Sequence, residues 1–312
     1  MAQDKGRVNL EELEWLAELL NKYPRESLKR IADIEGIEYH RLKRLYDRYY
    51  GRYVFVNAMY NITKLGLKSY VAFLSVPKVE LRMKAEEMLR NPFVVHVTPI
   101  FGFKNGLNAI LHIPVDQEKY IPELLSKYSN DFEYYEVWAY PMEKGKEVKF
   151  GRWRYSYEYA LLLDILKIDA RTPMKELERR LGRSRPTIKF MIKRLIEDGI
   201  IQGFYAYIDN VQDVYDRSFV GIAEELPEDF FQRFGDMEIQ IGVLSPRGYF
   251  VEWYFSSKED MGGKILEFGQ YVEKMAIGYL DMFRELNHRH MSTRYSRMVK
   301  EDGSGYRSIL EF

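Results

Sequence analysis

The chain has 312 residues, 46% of them hydrophobic, with 47 basic and 47 acidic side chains and no cysteine, which is room for two to four small domains, each burying its own core. The lack of cysteine excludes disulfides, thiolate metal sites and cysteine nucleophiles. No stretch approaches the roughly 20 apolar residues of a membrane helix, and Met1 to Leu10 is too polar for a signal peptide, so a cytoplasmic protein without a membrane partner is expected.

A charged fraction of 30% with few glutamines matches archaeal or thermophile usage. Zero net charge argues against a nucleic-acid partner until the charges are located. Arg171 to Arg194 holds nine Lys/Arg against two acids, whereas Glu224 to Glu238 holds six acids against Arg233 alone. A strongly basic element is thus offset by acidic surface elsewhere.

Taken in chain order, Leu13, Leu16, Ala17 and Leu20 recur at helical spacing and stop before Pro24, predicting an amphipathic first helix. Ile31, Ala32, Gly36, Ile37 and Leu42 have the spacing of two helices meeting at a tight turn. The second of these would display Tyr39, His40, Arg41, Lys43 and Arg44, with Glu38 at its cap position. A strand follows at Tyr53 to Tyr60. Strand-forming stretches at Leu67 to Val76, Phe93 to Phe101, Leu107 to Ile113 and Phe132 to Tyr140 alternate with helical segments at Lys78 to Arg90 and Asp116 to Tyr128. That order, βαββαβ, predicts an antiparallel sheet with helices on one face. A charged, glycine-containing linker, Glu143 to Lys149, closes the half.

The second half repeats the first at an offset of 146 residues, the separation that takes Gly36 to Gly182. Ala160, Leu163, Leu166 and Ile168 form its first helix. Strands are expected at Ser218 to Glu225, Met237 to Ser245, Tyr249 to Ser256 and Tyr271 to Phe283, with helices at Pro227 to Phe234 and Lys258 to Gly269. The fold class is therefore read as α+β. Two winged helix-turn-helix domains, 8–60 and 153–209, are each followed by a βαββαβ domain, 61–142 and 210–285, with a linker at 143–152 and a basic tail at 286–312.

A helix-turn-helix needs a small residue at the turn, apolar residues that hold two helices at a steep angle, and a polar outward face on the second helix. Leu177, Leu181, Gly182, Ile188, Ile192 and Leu195 meet the apolar and turn requirements. Ser184 stands where an N-cap belongs and Pro186 in the first helical turn. The candidate DNA-binding set here is Arg183, Ser184, Arg185, Pro186, Thr187, Lys189, Phe190 and Lys193. Of these Arg185, Thr187 and Lys189, with Arg41 of the first unit, are the candidates for reading bases. The backbone amides near Ser184 could hold a phosphate. Asp198 and Gly199 would close the helix, and Ile200 to Ile208 would form a wing strand.

Other chemistry finds little purchase. There is no His-Glu-x-x-His, no phosphate-cradling glycine loop and no serine elbow, so no catalytic role, cofactor or metal is expected. His288 and His290, two apart on a basic stretch, read as solvated rather than as metal ligands. Tyr205, Tyr207, Trp253 and Tyr254 alternate along strands and read as packing rather than RNA stacking. Arg284 to Lys300 carries five basic residues and one acid, which fits either a phosphate-contacting arm or a bland tail.

Three phrases together resemble a known family: Asp164-Ile-Leu-Lys-Ile-Asp-Ala-Arg-Thr-Pro-Met-Lys-Glu-Leu177, Leu181-Gly-Arg-Ser-Arg-Pro-Thr-Ile188 and Lys193-Arg-Leu-Ile-Glu-Asp-Gly-Ile-Ile201. They are similar to the leucine-responsive regulatory protein/AsnC (Lrp/AsnC) family of transcriptional regulators, and Lys64 to Phe73 resembles that family's passage into its effector domain. The resemblance implies winged helices that bind double-stranded DNA and ACT/ferredoxin-like βαββαβ domains. Those domains would mediate homodimers or higher oligomers and take a small-molecule effector. Family members usually carry one unit per chain and pair by dimerising; here two units would form the pair internally. The family's Gly-x-x-Asp turn has as its nearest match Phe101 to Asn108, with Asn105 or Asn108 in place of Asp. Sirohaem decarboxylases resemble the same two-part architecture and supply the alternative, an enzyme. Their paired arginines and His-Asn-Tyr-like stretch are replaced here by Ile201 to Phe204, Val95-His-Val97 and Gln240-Ile-Gly242.

Overall fold

The computed structural model of the chain describes residues 9–139, 148–208, 215–234, 239–258, 261–291 and 294–312. Residues 143–147 of the expected linker, the junction at 209–214 and the strand start expected at Met237 lie outside the described residues. The first half runs α1 (Leu10–Lys22), α2 (Leu28–Glu35), α3 (Tyr39–Tyr49), β1 (Val54–Tyr60), β2 (Leu67–Ser75), α4 (Leu81–Arg90), β3 (Val94–Gly102), β4 (Gly106–Pro114), α5 (Ile121–Ser126) and β5 (Phe132–Ala139). The second runs α6 (Tyr157–Ile168), α7 (Met174–Leu181), α8 (Arg185–Glu197), β6 (Ile201–Ile208), β7 (Arg217–Ala223), α9 (Phe230–Arg233), β8 (Ile239–Ser245), β9 (Tyr249–Phe255), α10 (Gly262–Phe268) and β10 (Lys274–Tyr279). Two further helices, α11 (Arg284–Met291) and α12 (Arg294–Met298), end the chain.

These elements gather into two compact units, Met1–Asn61 with Tyr155–Asp213 and Ile62–Arg154 with Val214–Phe312. Both helix-turn-helix trios share the first and both βαββαβ halves the second, a grouping that differs from the four consecutive domains read along the chain. In the first unit, the strands expected to be separate wings pair with each other: β1 and β6 form one antiparallel ribbon in which Val56 faces Ala206 and Ala58 faces Phe204. A lone strand beside each trio would leave both of its edges of backbone donors and acceptors unpaired, and mutual pairing satisfies one edge of each strand. The helices pack through the residues the spacing selected; Leu13, Leu16, Leu20, Ile31, Leu42 and Leu45 share one buried cluster with Val54, Val56 and Ala170.

The second unit departs further from expectation. Each half has the strand order of a βαββαβ sheet, but the two do not stand as separate sheets. They close into one eight-stranded barrel in the order β10-β3-β4-β2-β5-β8-β9-β7. Both seams join the fourth strand of one half to the second of the other: Trp138 of β5 faces Val243 of β8, and Ile277 of β10 faces Phe101 of β3. The reason is again the exposed edge, which closure eliminates. Val71, Phe73, Ile100, Val220, Ile222, Leu244, Phe250 and Ala276, contributed by both halves, form one buried cluster across the barrel. Phe219, Trp253, Phe255, Phe230 and Phe268 make another with α9 and α10, so Trp253 is core, as its alternation suggests.

The basic C-terminal stretch packs into its unit. Asn287 of α11 accepts from the Val97 amide (2.9 Å) and donates to the Val97 carbonyl (2.9 Å), occupying backbone groups of β3. Arg294 is buried with its guanidinium 2.9 Å from His112 Nδ1, Arg297 donates to the Arg90 carbonyl, and Arg307 pairs with Glu311. Tyr295, Met298 and Ile309 are buried, and the Ile309 carbonyl accepts from buried Asn91 (2.8 Å). Charge density made the stretch look like a phosphate ligand. Arg294, Arg297 and Arg307 are engaged in contacts within the unit, and its apolar residues, spaced too widely for a periodic signal, pin it down. His288 is exposed and His290 half-buried on α11.

Candidate nucleic-acid interface

The second trio builds its outward face from local rules. Residue 182 ends α7 at φ +62°, a left-handed backbone that glycine adopts without strain, and Gly36 does the same after α2 at +66°. The chain then turns, and α8 begins at Arg185 with Pro186 in its first turn, where a missing N–H costs nothing. Ile188, Met191, Ile192 and Leu195 are buried at one face of α8. Arg183, Ser184, Arg185, Pro186, Thr187, Lys189, Phe190 and Lys193 are all exposed. The helix therefore presents every second-unit candidate to solvent. Among the described residues the side chains of Arg185 and Lys189 make no ion pair, while Lys193 is 3.4 Å from Glu197 and Arg183 pairs with Glu158.

Ser184 occupies the N-cap position but caps no backbone amide; its hydroxyl lies 2.9 Å from that of Thr187. The Arg185 amide is held by Glu178, whose carboxylate accepts it at 2.9 Å. At the Arg185 amide, then, a carboxylate of the preceding helix stands at the helix terminus where an anion is favoured.

In the first trio Ser27 caps α2, accepting from the Arg30 amide at 3.2 Å, and Glu38 caps α3, accepting from the amides of His40 (3.1 Å) and Arg41 (2.9 Å). Tyr39, His40, Arg41 and Arg44 are exposed, and Lys43 is half-exposed and paired with Asp47 at 2.6 Å, which raises its pKa. Arg41 lies over the Trp15 ring at 6.0 Å and Arg48 is 3.6 Å from Glu12. The offset of 146 residues sets Arg185 against Tyr39, Thr187 against Arg41, Phe190 against Arg44 and Lys193 against Asp47; only Lys189 and Lys43 agree. The two outward faces share a frame and differ in chemistry.

Two arginines join the trios. Arg171, counted in the basic patch, turns inward: its guanidinium donates to the carbonyls of Tyr23 (3.1 Å), Pro24 (2.9 Å) and Glu26 (2.8 Å) and lies over the Tyr46 ring at 5.3 Å. Arg25 donates to the Ala170 carbonyl and lies over Phe204 at 5.5 Å. Asp169 accepts from the Tyr50 hydroxyl and from the Arg171 amide (2.8 Å). Burial pulls the Arg25 guanidinium below its ordinary pKa, Arg171 adding to the effect and Asp169 opposing it; burial followed by Asp169 pushes the Tyr50 phenol up. The signal was present in the sequence, since Arg25 and Arg171 are themselves 146 residues apart. Tyr207 stacks on Phe55 across the ribbon, centroids 5.6 Å apart.

Comparison with known proteins agrees with this geometry. A family described as winged helix-turn-helix DNA-binding matches residues 161–202, which contain α7, the turn and α8. The HTH-type transcriptional regulator LrpA of Pyrococcus horikoshii is 33% identical over 72 residues, covering 23% of this chain and 51% of that protein. LrpA of Pyrococcus abyssi is 35% identical over 72 residues with the same coverage. An uncharacterised HTH-type transcriptional regulator of P. abyssi is 49% identical over 43 residues, 14% of this chain and 29% of that one. The chain thus spans about half the length, 51%, of the LrpA relatives it matches. The fold is similar to the crystal structure of the siroheme decarboxylase NirDL, with TM-score 0.59 and 16% identity over 90% of this chain and 98% of that one. The same enzyme in complex with an iron-uroporphyrin III analogue gives TM-score 0.60 and 16% identity over 89% and 99%. At that identity the likeness is one of fold. The segment holding α7 and α8 is thus a winged helix-turn-helix DNA-binding segment similar to those of Lrp-type transcriptional regulators.

Proposed function

We propose that the chain is a sequence-specific, double-stranded DNA-binding transcriptional regulator acting in the cytoplasm, whose α8 and α3 read two adjacent and unequal half-sites. The observation that carries this reading is the face of α8: Arg185, Thr187, Lys189, Phe190 and Lys193 all exposed on a helix whose other face is buried, inside the segment matched by the winged helix-turn-helix DNA-binding family. Lysines and arginines supply affinity through phosphates, and the donors and apolar groups on the same face supply choice of base. Arg183, Ser184 and Pro186 place the helix start against the backbone of the duplex; Tyr39, His40, Arg41, Lys43 and Arg44 play the corresponding parts in the other head. The barrel is the place for self-association and for a small-molecule effector.

Arg185→Ala tests the assignment. It is expected to cost roughly 1 to 3 kcal/mol of binding and to relax preference at one base pair, measured by titration against a selected duplex and its single-base variants. Equal weakening on every sequence would make Arg185 a phosphate contact instead.

The whole-chain likeness to NirDL favours one second reading, an enzyme acting on a sirohaem-type tetrapyrrole. It rests on architecture at 16% identity. Incubation with sirohaem decides it: a new haem-type absorbance that stays with the protein through gel filtration supports the enzyme, and an unchanged spectrum removes it.

A further inference from the structure

We infer that Arg25 and Arg171 are positioning residues that lock the two reading helices at one separation, so that a single chain accepts half-sites at one spacing. The inference rests on the DNA-reading proposal and concerns the partner's geometry. The two residues are equivalents in the repeat, and each reaches across to the other's loop. Arg25 donates to the carbonyl of Ala170, and Arg171 donates to that of Pro24 (2.9 Å), the position equivalent to Ala170. The exchange is reciprocal, as two copies related by a twofold axis would make it. The ribbon marks the same axis: Ala58 and Phe204, again 146 apart, face each other in register.

Such a joint is stiff for identifiable reasons. A planar guanidinium satisfied by three carbonyls at 2.8 to 3.1 Å has few alternative placements. Tyr46 and Tyr50, stacked at 4.4 Å with planes 11° apart, form a shelf under Arg171. Tyr46 belongs to α3, the reading helix of the first head, and Tyr50 is its C-cap. Asp169 ties that shelf and the Arg171 amide into one loop. Ala170 is fully buried and its amide donates to the Val56 carbonyl at 2.7 Å, coupling the loop to the ribbon. Arg25 has fewer partners, so Arg171 carries the larger part.

The chain has no cysteine, which allows paired spin labels on the full-length protein. Labels at Asp47→Cys and Lys193→Cys, equivalent exposed positions of α3 and α8, should give one narrow distance distribution in the free protein. Adding Arg25→Ala and Arg171→Ala should broaden it by about twofold or more while circular dichroism shows the helices intact. An unchanged width in that folded variant overturns the inference. If the double variant fails to fold, Arg171→Lys decides by the same rule, since it keeps the charge over Tyr46 and loses the fork.

The DNA arm uses duplexes carrying the half-sites recovered by selection, with spacers changed by about one to five base pairs. The unmodified chain should lose about tenfold or more away from its preferred spacing, whereas the clasp variant should vary by less than about threefold and bind a single half-site unchanged. An equally sharp optimum in the variant refutes the clasp. Failure to recover any half-site would refute DNA reading, and the label distances then judge the joint by themselves.

Discussion

Phe190 stands 60% exposed on α8 between Lys189 and Lys193, and an apolar ring on a groove-reading face has a chemical target in the 5-methyl group of thymine. Replacing thymine by uracil at the contacted step of a selected site should weaken binding by roughly 1 kcal/mol, and Phe190→Ala should abolish the difference between the two duplexes. Persistence of that difference in the variant would assign the methyl contact elsewhere. The equivalent Arg44 offers a fork suited to guanine, so the two half-sites should differ in composition.

A second single-residue consequence lies in the barrel unit. His96 is half-buried and sits 3.0 Å from the Thr98 hydroxyl, and desolvation, with His288 adding, pulls its pKa down to about 4. The folded protein holds the ring neutral where the unfolded chain, titrating near 6.5, would charge it. Its contribution is full above about pH 6.5 and is lost as pH falls toward 4, a change of roughly 3 kcal/mol. Denaturant titrations should show stability falling across that window and a flatter profile for His96→Gln; parallel profiles would mean the ring is not held neutral. At this scale the sequence showed which residues face outward on α8, because a period of 3.6 separates Ile188, Met191, Ile192 and Leu195 from the rest. It did not show that Glu178 rather than Ser184 serves the helix terminus, since reach across a turn depends on side-chain placement and not on spacing.

Among the elements, helices and strands lie where their patterns put them, although β10 spans only Lys274–Tyr279 of the expected Tyr271 to Phe283 and α5 only Ile121–Ser126 of Asp116 to Tyr128; their partners were not legible. Alternation in β10 says that one face, with Ala276 and Gly278, is buried; it carries no information about which distant edge completes the ladder. Closure therefore emerged only from the structure, as did the mutual pairing of β1 and β6. The C-terminal helices illustrate the same limit. Five basic residues within Arg284 to Lys300 suggested a ligand, yet the decisive residues are Asn287, Tyr295, Met298 and Ile309, buried within the barrel unit. Removing the fully buried Ile309 side chain should create a cavity: Ile309→Ala is expected to cost about 2 to 5 kcal/mol of stability, read from urea midpoints, with the salt dependence of DNA binding unchanged. A shallower salt slope would return the stretch to the role of phosphate arm.

At the scale of the whole molecule, the sequence repeats at an offset of 146 residues. Families with one head per chain obtain paired heads by dimerising, and two identical chains impose identical faces. Here one chain holds both copies, the reciprocal contacts of Arg25 and Arg171 survive, and the outward faces have diverged at Arg185/Tyr39, Thr187/Arg41, Phe190/Arg44 and Lys193/Asp47. Within the joint the arginine pair is the position that stays matched, Arg25 with Arg171, while the exposed positions that face a partner differ. That asymmetry predicts an operator lacking the palindromic symmetry of a homodimer's site. Selection of bound sequences from random duplex DNA by the purified full-length chain at physiological salt tests this most directly. The account predicts one enriched motif made of two dissimilar half-sites at a fixed spacing; an enriched perfect palindrome would contradict the unequal heads, and no enriched motif would contradict sequence-specific reading altogether.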